Sequence, residues 1–319
     1  MHLRWLRLAV LCFSLAACST AGVEPGTAAH ALAPDGPDRA CGGRYARASP
    51  VEVPPGTTAF TAIRRAFQPS RVWGVRENVR LVAQAPQRRA ALAVRYPKGS
   101  IAPSSAAPRG GAGFVSRTGL AGSAEAACLT YRVRFADGFA FAKGGKLPGL
   151  YGGDGPTGGA GADAGFSARL MWREGGEGEL YAYLPGPDPG HGRSLGRGAW
   201  RFPAGRWVDI EQEIVLNDPG LANGVARVWV AGELRLEVPE LVLRRTAEVR
   251  IEGLMFSTFF GGRDPAWASP RDQEALFADF AIHLPEGDRR RAVLAARGDA
   301  GLRGGLRNAA RGSGRRPAG

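Results

Sequence analysis

Phe166-Ser167-Ala168-Arg169-Leu170-Met171-Trp172-Arg173 and, after Glu174-Gly175-Gly176-Glu177-Gly178, Leu180-Tyr181-Ala182-Tyr183-Leu184 decide how this chain folds. Both runs alternate with period two, the mark of strands with two unlike faces. The glycine-rich segment between them makes them a hairpin. With the turn centred on Gly176, Arg169 lies across from Tyr183 and Met171 across from Tyr181. Residues of one parity share a face. Ser167, Arg169, Tyr181 and Tyr183 therefore project from one side. Phe166, Ala168, Leu170, Leu180, Ala182 and Leu184 make an apolar face for a core.

The same alternation extends outward. Leu129, Tyr131, Val133 and Phe135 alternate with Thr130, Arg132 and Arg134. Val208, Ile210, Gln212, Ile214 and Leu216 alternate with Asp209, Glu211 and Glu213, which are read as that strand's solvent face. Leu234, Leu236 and Val238 alternate with Arg235 and Glu237. Turn signals at Asn217-Asp218-Pro219-Gly220, Asn223-Gly224 and Ala231-Gly232 separate the runs. The 47 glycines favour turns and short strands over long helices. The only helical piece expected is near 270–277. An all-β fold follows, a single jelly roll of two packed sheets over 58–288 with a concave groove.

The net charge of +13 is unevenly placed. Residues 289–319 carry +8 and the leader +2, which leaves +3 for 18–288. The Arg/Gly-rich tail is read as disordered, since it cannot bury enough apolar surface to order itself. No nucleic-acid reading element accompanies it, and no nucleic-acid partner is expected. At the other end, Arg4 and Arg7 precede the apolar run Leu8–Leu15 and then Leu15-Ala16-Ala17-Cys18. The run is too short to span a bilayer. It resembles the lipobox of bacterial lipoproteins. That resemblance implies a signal peptide over 1–17, lipidation of Cys18 and a membrane-anchored tether over 18–57. By the same resemblance Ser19 after the cysteine leans towards the outer membrane, and an exported outer-membrane or periplasmic lipoprotein is expected. Cys41 and Cys128 remain as an even pair in an oxidising compartment, which suggests one disulfide. A monomer is expected.

The chemistry gathers around the hairpin. Lys143-Gly144-Gly145-Lys146-Leu147-Pro148-Gly149-Leu150 adds two lysines to the arginine and tyrosines. Lys143 reaches the same face as Lys146 only if the glycine pair makes a bulge. His191, in the Pro-Gly-rich loop 185–198, is a further substrate-binding candidate near the hairpin's end. Such a set suits an acidic sugar polymer. A proton α to a carboxylate becomes removable once the carboxylate is neutralised, and an arginine fork matches that group. A phenol beside cations is drawn towards its ionised form and can exchange protons near neutrality. No metal or cofactor is required.

At these residues the chain resembles polysaccharide lyase family 14 over roughly 75–285. The KGGKLPGL, FSAR and YAY runs stand in the family's order. So do Leu216-Asn217-Asp218-Pro219-Gly220, Val228-Trp229-Val230 and Phe256-Ser257-Thr258-Phe259-Phe260-Gly261-Gly262. The resemblance implies a β-jelly roll that cleaves alginate or glucuronan by β-elimination. It implies Tyr181 and Tyr183 for proton transfer, Arg169 for the carboxylate and Lys146 for substrate and phenolate stabilisation. Ser167 would position substrate.

Two rival readings are weaker. A glycoside hydrolase would use paired carboxylates, and Asp209, Glu211 and Glu213 are better explained as a solvated strand face. A non-catalytic carbohydrate-binding surface protein would keep the groove without needing both tyrosines opposite an arginine. A serine hydrolase is poorly supported, since Ser167 lies in Phe-Ser-Ala-Arg and not in a Gly-x-Ser-x-Gly elbow. The four scattered histidines offer no zinc site.

Overall fold

The computed structural model describes residues 40–285 except 42–44, 46, 84–89, 106–107, 118–123, 188–189 and 263. The leader with Cys18, most of the tether and the Arg-rich tail lie outside the described residues. In chain order the elements are β1 (Arg47–Pro50), α1 (Ala59–Phe67), β2 (Arg71–Trp73), α2 (Val75–Asn78), β3 (Val79–Ala83), β4 (Ala90–Tyr96), β5 (Ala112–Ser116), β6 (Ala126–Phe135), β7 (Gly144–Gly153), β8 (Gly165–Arg173), β9 (Glu177–Tyr183), β10 (Arg193–Arg201), β11 (Trp207–Val215), β12 (Gly224–Val230), β13 (Glu233–Leu241), β14 (Ile251–Phe260) and β15 (Gln273–Leu284).

The strands form two antiparallel sheets packed as a jelly-roll sandwich. One has the order β13-β12-β11-β6-β15-β4-β3, with β1 added on β15. The other has the order β10-β9-β8-β7-β14-β5-β2 and carries the groove. The expected alternation holds. Leu129, Tyr131, Val133 and Phe135 on β6 and Phe166, Ala168, Leu170 and Trp172 on β8 all enter the core. Ala231 and Gly232, both with positive φ (52° and 81°), make the β12–β13 turn.

Four expectations are corrected. The segment 270–277 is not helical. β15 is a central strand whose Ala275 and Phe277, then Phe280 and Ile282, face the core. An irregularity between Ala278 and Ala281, with Asp279 at φ 54°, flips the parity between those pairs. Conversely, 59–67 is a helix. Thr58 caps it by accepting from the Thr61 amide, and Ala59, Ala62, Ile63 and Phe67 form its buried stripe.

The tether does not run to residue 57. Cys41 is bonded to Cys128 across 87 residues, β1 pairs with β15, and Val51 and Val53 enter the core. That packing explains the fourth correction. Glu213 does not face solvent: it is fully buried, accepts from the Tyr45 hydroxyl (2.6 Å) and pairs with Arg227 (2.6 Å). Only Asp209 of that trio keeps the exposed position expected, with its side chain 67% accessible beside Arg132.

Candidate active site

β8 and β9 join through Glu174–Gly176, where Gly175 and Gly176 take positive φ (62° and 79°). The turn therefore centres on Gly175, one residue earlier than expected. Arg169 pairs with Tyr181, and Ser167 with Tyr183. The register differs from expectation by two residues, so parity, and with it each face, is preserved.

On β7 the ladder slips by one residue between Lys146 and Gly149, against both β8 and β14. This bulge switches the parity of β7. Lys146 faces the groove while both Leu147 and Leu150 point into the core. The opposite sheet meets the backbone there. Gln212, fully buried on β11, accepts from the Leu150 amide (2.8 Å) and donates to the Ala168 carbonyl (2.7 Å). The Tyr131 hydroxyl donates to the Pro148 carbonyl (3.3 Å).

The groove opens into a cavity of about 700 Å³. Lys146, Arg169, Tyr181, Tyr183 and His191 line it. Ser167 and Lys143 do not. The Ser167 hydroxyl is fully buried and donates to the Pro156 carbonyl (2.6 Å), so it fixes the 154–164 loop instead of touching the cavity. The irregularity falls beyond Lys146, not at Gly144-Gly145. Lys143 is left half-exposed before β7, 4.0 Å from Asp264. The loop fixed by Ser167 contributes Gly155, Thr157, Gly158 and Gly159 to the wall.

Arg169 is 3% exposed. Burial lowers its pKa to about 10, and the two tyrosines oppose that change. It is still a cation at neutral pH. Its Nη1 donates to Ser257 (3.3 Å), and its buried Nε has no partner. Neighbouring Arg173, by contrast, is held by Glu179 (2.5 Å), which also receives Arg197 and Ser194. Among the described residues lining the cavity there is no carboxylate. A buried cation without a counter-charge is costly. The site is therefore built to receive an anion.

Lys146 places its Nζ 3.4 Å above the Tyr181 ring centroid and 2.7 Å from Met171 Sδ. Burial, with Arg169 and Arg173 nearby, drives its pKa well below the ordinary lysine range. The neutral amine is thereby favoured. Tyr181 moves opposite to expectation. Burial and the adjacent Tyr183 raise its phenol, and the Gly192 amide and Arg169 only partly offset them. Tyr181 and Tyr183 stand edge to face, 5.9 Å apart. Their hydroxyls accept from the Gly192 amide (3.0 Å) and the Gly159 amide (3.1 Å).

Sequence reasoning missed Ser257, Arg71 and Trp73, which also line the cavity. Ser257 had a signal, its place in the Phe256–Gly262 run. Arg71 and Trp73 sit on a three-residue strand, too short to show a period.

The family described as Polysaccharide lyase 14 matches residues 84–280. The solved structure of a marine PL-14 alginate lyase from Aplysia kurodai is 33% identical, with a TM-score of 0.66 over 76% of this chain and 99% of that one. An alginate lyase from Chlorella virus is 23% identical, with a TM-score of 0.61 over 74% and 98%. An endo-β-1,4-glucuronan lyase from Trichoderma reesei is 10% identical, with a TM-score of 0.50 over 75% and 95%. The last two share the fold. No curated protein matches the chain.

Proposed function

The chain belongs to polysaccharide lyase family 14 and is a polysaccharide lyase, and from that premise we propose that it cleaves alginate or a related polyuronate by β-elimination at the cavity around Arg169. The observation that carries this reading is the buried, unpaired Arg169 beside Lys146 and two phenols. The alginate lyase from Aplysia kurodai, at 33% identity, supports the choice of substrate class.

The substrate carboxylate compensates the Arg169 charge, and the guanidinium stabilises negative charge as it develops on that carboxylate. The neutral Lys146 amine takes the C5 proton. The C5–H electrons form the C4=C5 double bond, and the C4–O4 bond breaks. A phenol of the Tyr181–Tyr183 pair hands its proton to O4. Tyr181 suits that donor role because burial keeps it protonated. Lys146 thus acts as base, in place of the cationic role expected from the sequence. His191 borders the same space, and its Nδ1 lies 3.0 Å from the Gly192 carbonyl.

The test is ultraviolet absorbance of the unsaturated uronate product. The full-length chain is incubated with polymannuronate, polyguluronate and glucuronan, beside Tyr181→Phe and Tyr183→Phe. Product from the wild type, abolished by at least one phenylalanine variant, is the expected result. No product from any polyuronate, with the polymers still bound, defeats the lyase reading and favours a binding protein. We infer further that the protein works outside the cytoplasm, anchored through Cys18. The Cys41–Cys128 bond supports an oxidising compartment, and loss of membrane fractionation in Cys18→Ala is the check.

A further inference from the structure

The ladder partners across the grooved sheet trace one continuous row. Tyr181 on β9 is opposite Arg169 on β8, which is opposite Gly149 on β7. Gly149 is opposite Met255 on β14, Met255 opposite Val115 on β5, and Val115 opposite Arg71 on β2. Directly paired residues share a face. Two guanidiniums therefore end a trough whose middle is Gly149, Met255 and Val115. Four strand spacings of about 4.8 Å separate Arg71 from Arg169, about 19 Å along the sheet.

The far end has the features of a sugar site. Val72 packs against the core, so Arg71 and Trp73 take the groove face together. Arg71 is exposed and, among the described residues, makes no ion pair, whereas nearby Arg117 is paired with Glu252 (2.9 Å). The Trp73 indole lies over Gly113, where a Cβ would come within 2.2 Å of its Nε1. Phe259 braces the ring from 5.9 Å away, its plane tilted by 67°. Indole faces held this way stack on flat apolar ligand surfaces, and an arginine fork takes a carboxylate.

We propose that Arg71 and Trp73 form a second uronate subsite, which binds a sugar several residues from the one whose carboxylate sits on Arg169. A polymer lying across the strands fills both ends, and an oligomer too short to bridge them gains nothing from Arg71. This subsite rests on the polyuronate reading above and makes the enzyme favour long chains.

The experiment compares kcat/KM on a long polyuronate with that on the shortest oligomer cleaved. Arg71→Gln, Trp73→Leu and Trp73→Phe are measured beside Arg64→Gln, a control on α1 outside the cavity. The long-to-short ratio should fall about tenfold for Arg71→Gln, mainly through KM, the size of one lost charged hydrogen bond. Trp73→Leu should lower it and Trp73→Phe should restore much of it. Arg64→Gln should keep the wild-type ratio. A ratio within twofold of wild type in Arg71→Gln overturns the subsite. So does an equal fall in Arg64→Gln, which would make the effect one of general charge. Product formation by the wild type tests the parent reading separately. If there is none, titration of binding with the same oligomers reads the same ratio.

Discussion

Lys146 sits where a lysine is least stable as a cation, buried between two arginines. Arginine at this position would keep the charge but give no base at working pH. Lys146→Arg should therefore lower kcat about 100-fold or more while still allowing polymer to bind; rates beside binding isotherms check this. If the residue served only as a cation, that variant would stay active. The pH profile follows from the same shifts. Activity should rise as Lys146 loses its proton at a pH well below the ordinary lysine range, and fall from about pH 10, where Arg169 gives up its charge before Tyr181 ionises. Stability carries the matching sign. Between the depressed folded pKa and about 10.4, the unfolded chain holds a proton that the folded chain has lost, so wild-type stability rises with pH there. Lys146→Met should melt higher near neutrality and lack that slope, read by thermal unfolding across pH. Much at this scale was legible, because parity alone put Arg169, Tyr181 and Tyr183 on one face. The state of each group was not legible. Whether a phenol is pulled down by a cation or pushed up by burial depends on depth in the cavity, which spacing does not encode.

Among the elements, β7 has the least regular course and the most consequence. Its bulge turns Lys146 into the groove, and Gln212 crosses the core to occupy the Leu150 amide and the Ala168 carbonyl. Gln212→Leu would leave both backbone groups buried without that partner. It should cost about 2–4 kcal/mol in denaturant unfolding. Its kcat should fall more than its KM rises, since Ala168 adjoins Arg169 and the bulge sets Lys146. Gln212→Glu should recover little, as a carboxylate cannot donate to Ala168. In the sequence Gln212 reads only as a polar interruption of an apolar strand. The hairpin register erred by two because two consecutive glycines allow either as the turn centre. The helix 59–67 carried a cap and an apolar stripe that the surrounding strand patterns obscured. The start of β15 resembles no half-buried strand in the sequence, because Gln273 and Glu274 are polar and only Ala275 and Phe277 of the stretch 270–277 enter the sandwich core.

The whole molecule places its two reinforcements apart. The groove lies on one sheet, and the Cys41–Cys128 bond with Tyr45 and Trp229 lies on the outer face of the other. Cys41→Ala with Cys128→Ala should lower stability by about 2–5 kcal/mol, as expected for a loop this long, yet leave kcat at room temperature near wild type. Calorimetry beside assays at low temperature checks both halves. Sandwich architecture was readable from alternation and turns, since each is a local property. The packing of 40–53 over the sheet was not. It depends on a contact between residues far apart in sequence, and it turned a strand face that looks solvated into the buried Tyr45–Glu213–Arg227 cluster.

That same bond bears on how the protein is made. The chain has four cysteines, Cys12 and Cys18 besides the bonded pair. Four thiols allow three complete pairings, of which one joins Cys41 to Cys128. Recombinant material that retains residues 1–18 can be trapped in the other two during oxidative refolding. Material freed of residues 1–18, or carrying serine at positions 12 and 18, has one pairing to find, and its folding yield becomes independent of the oxidant's shuffling rate.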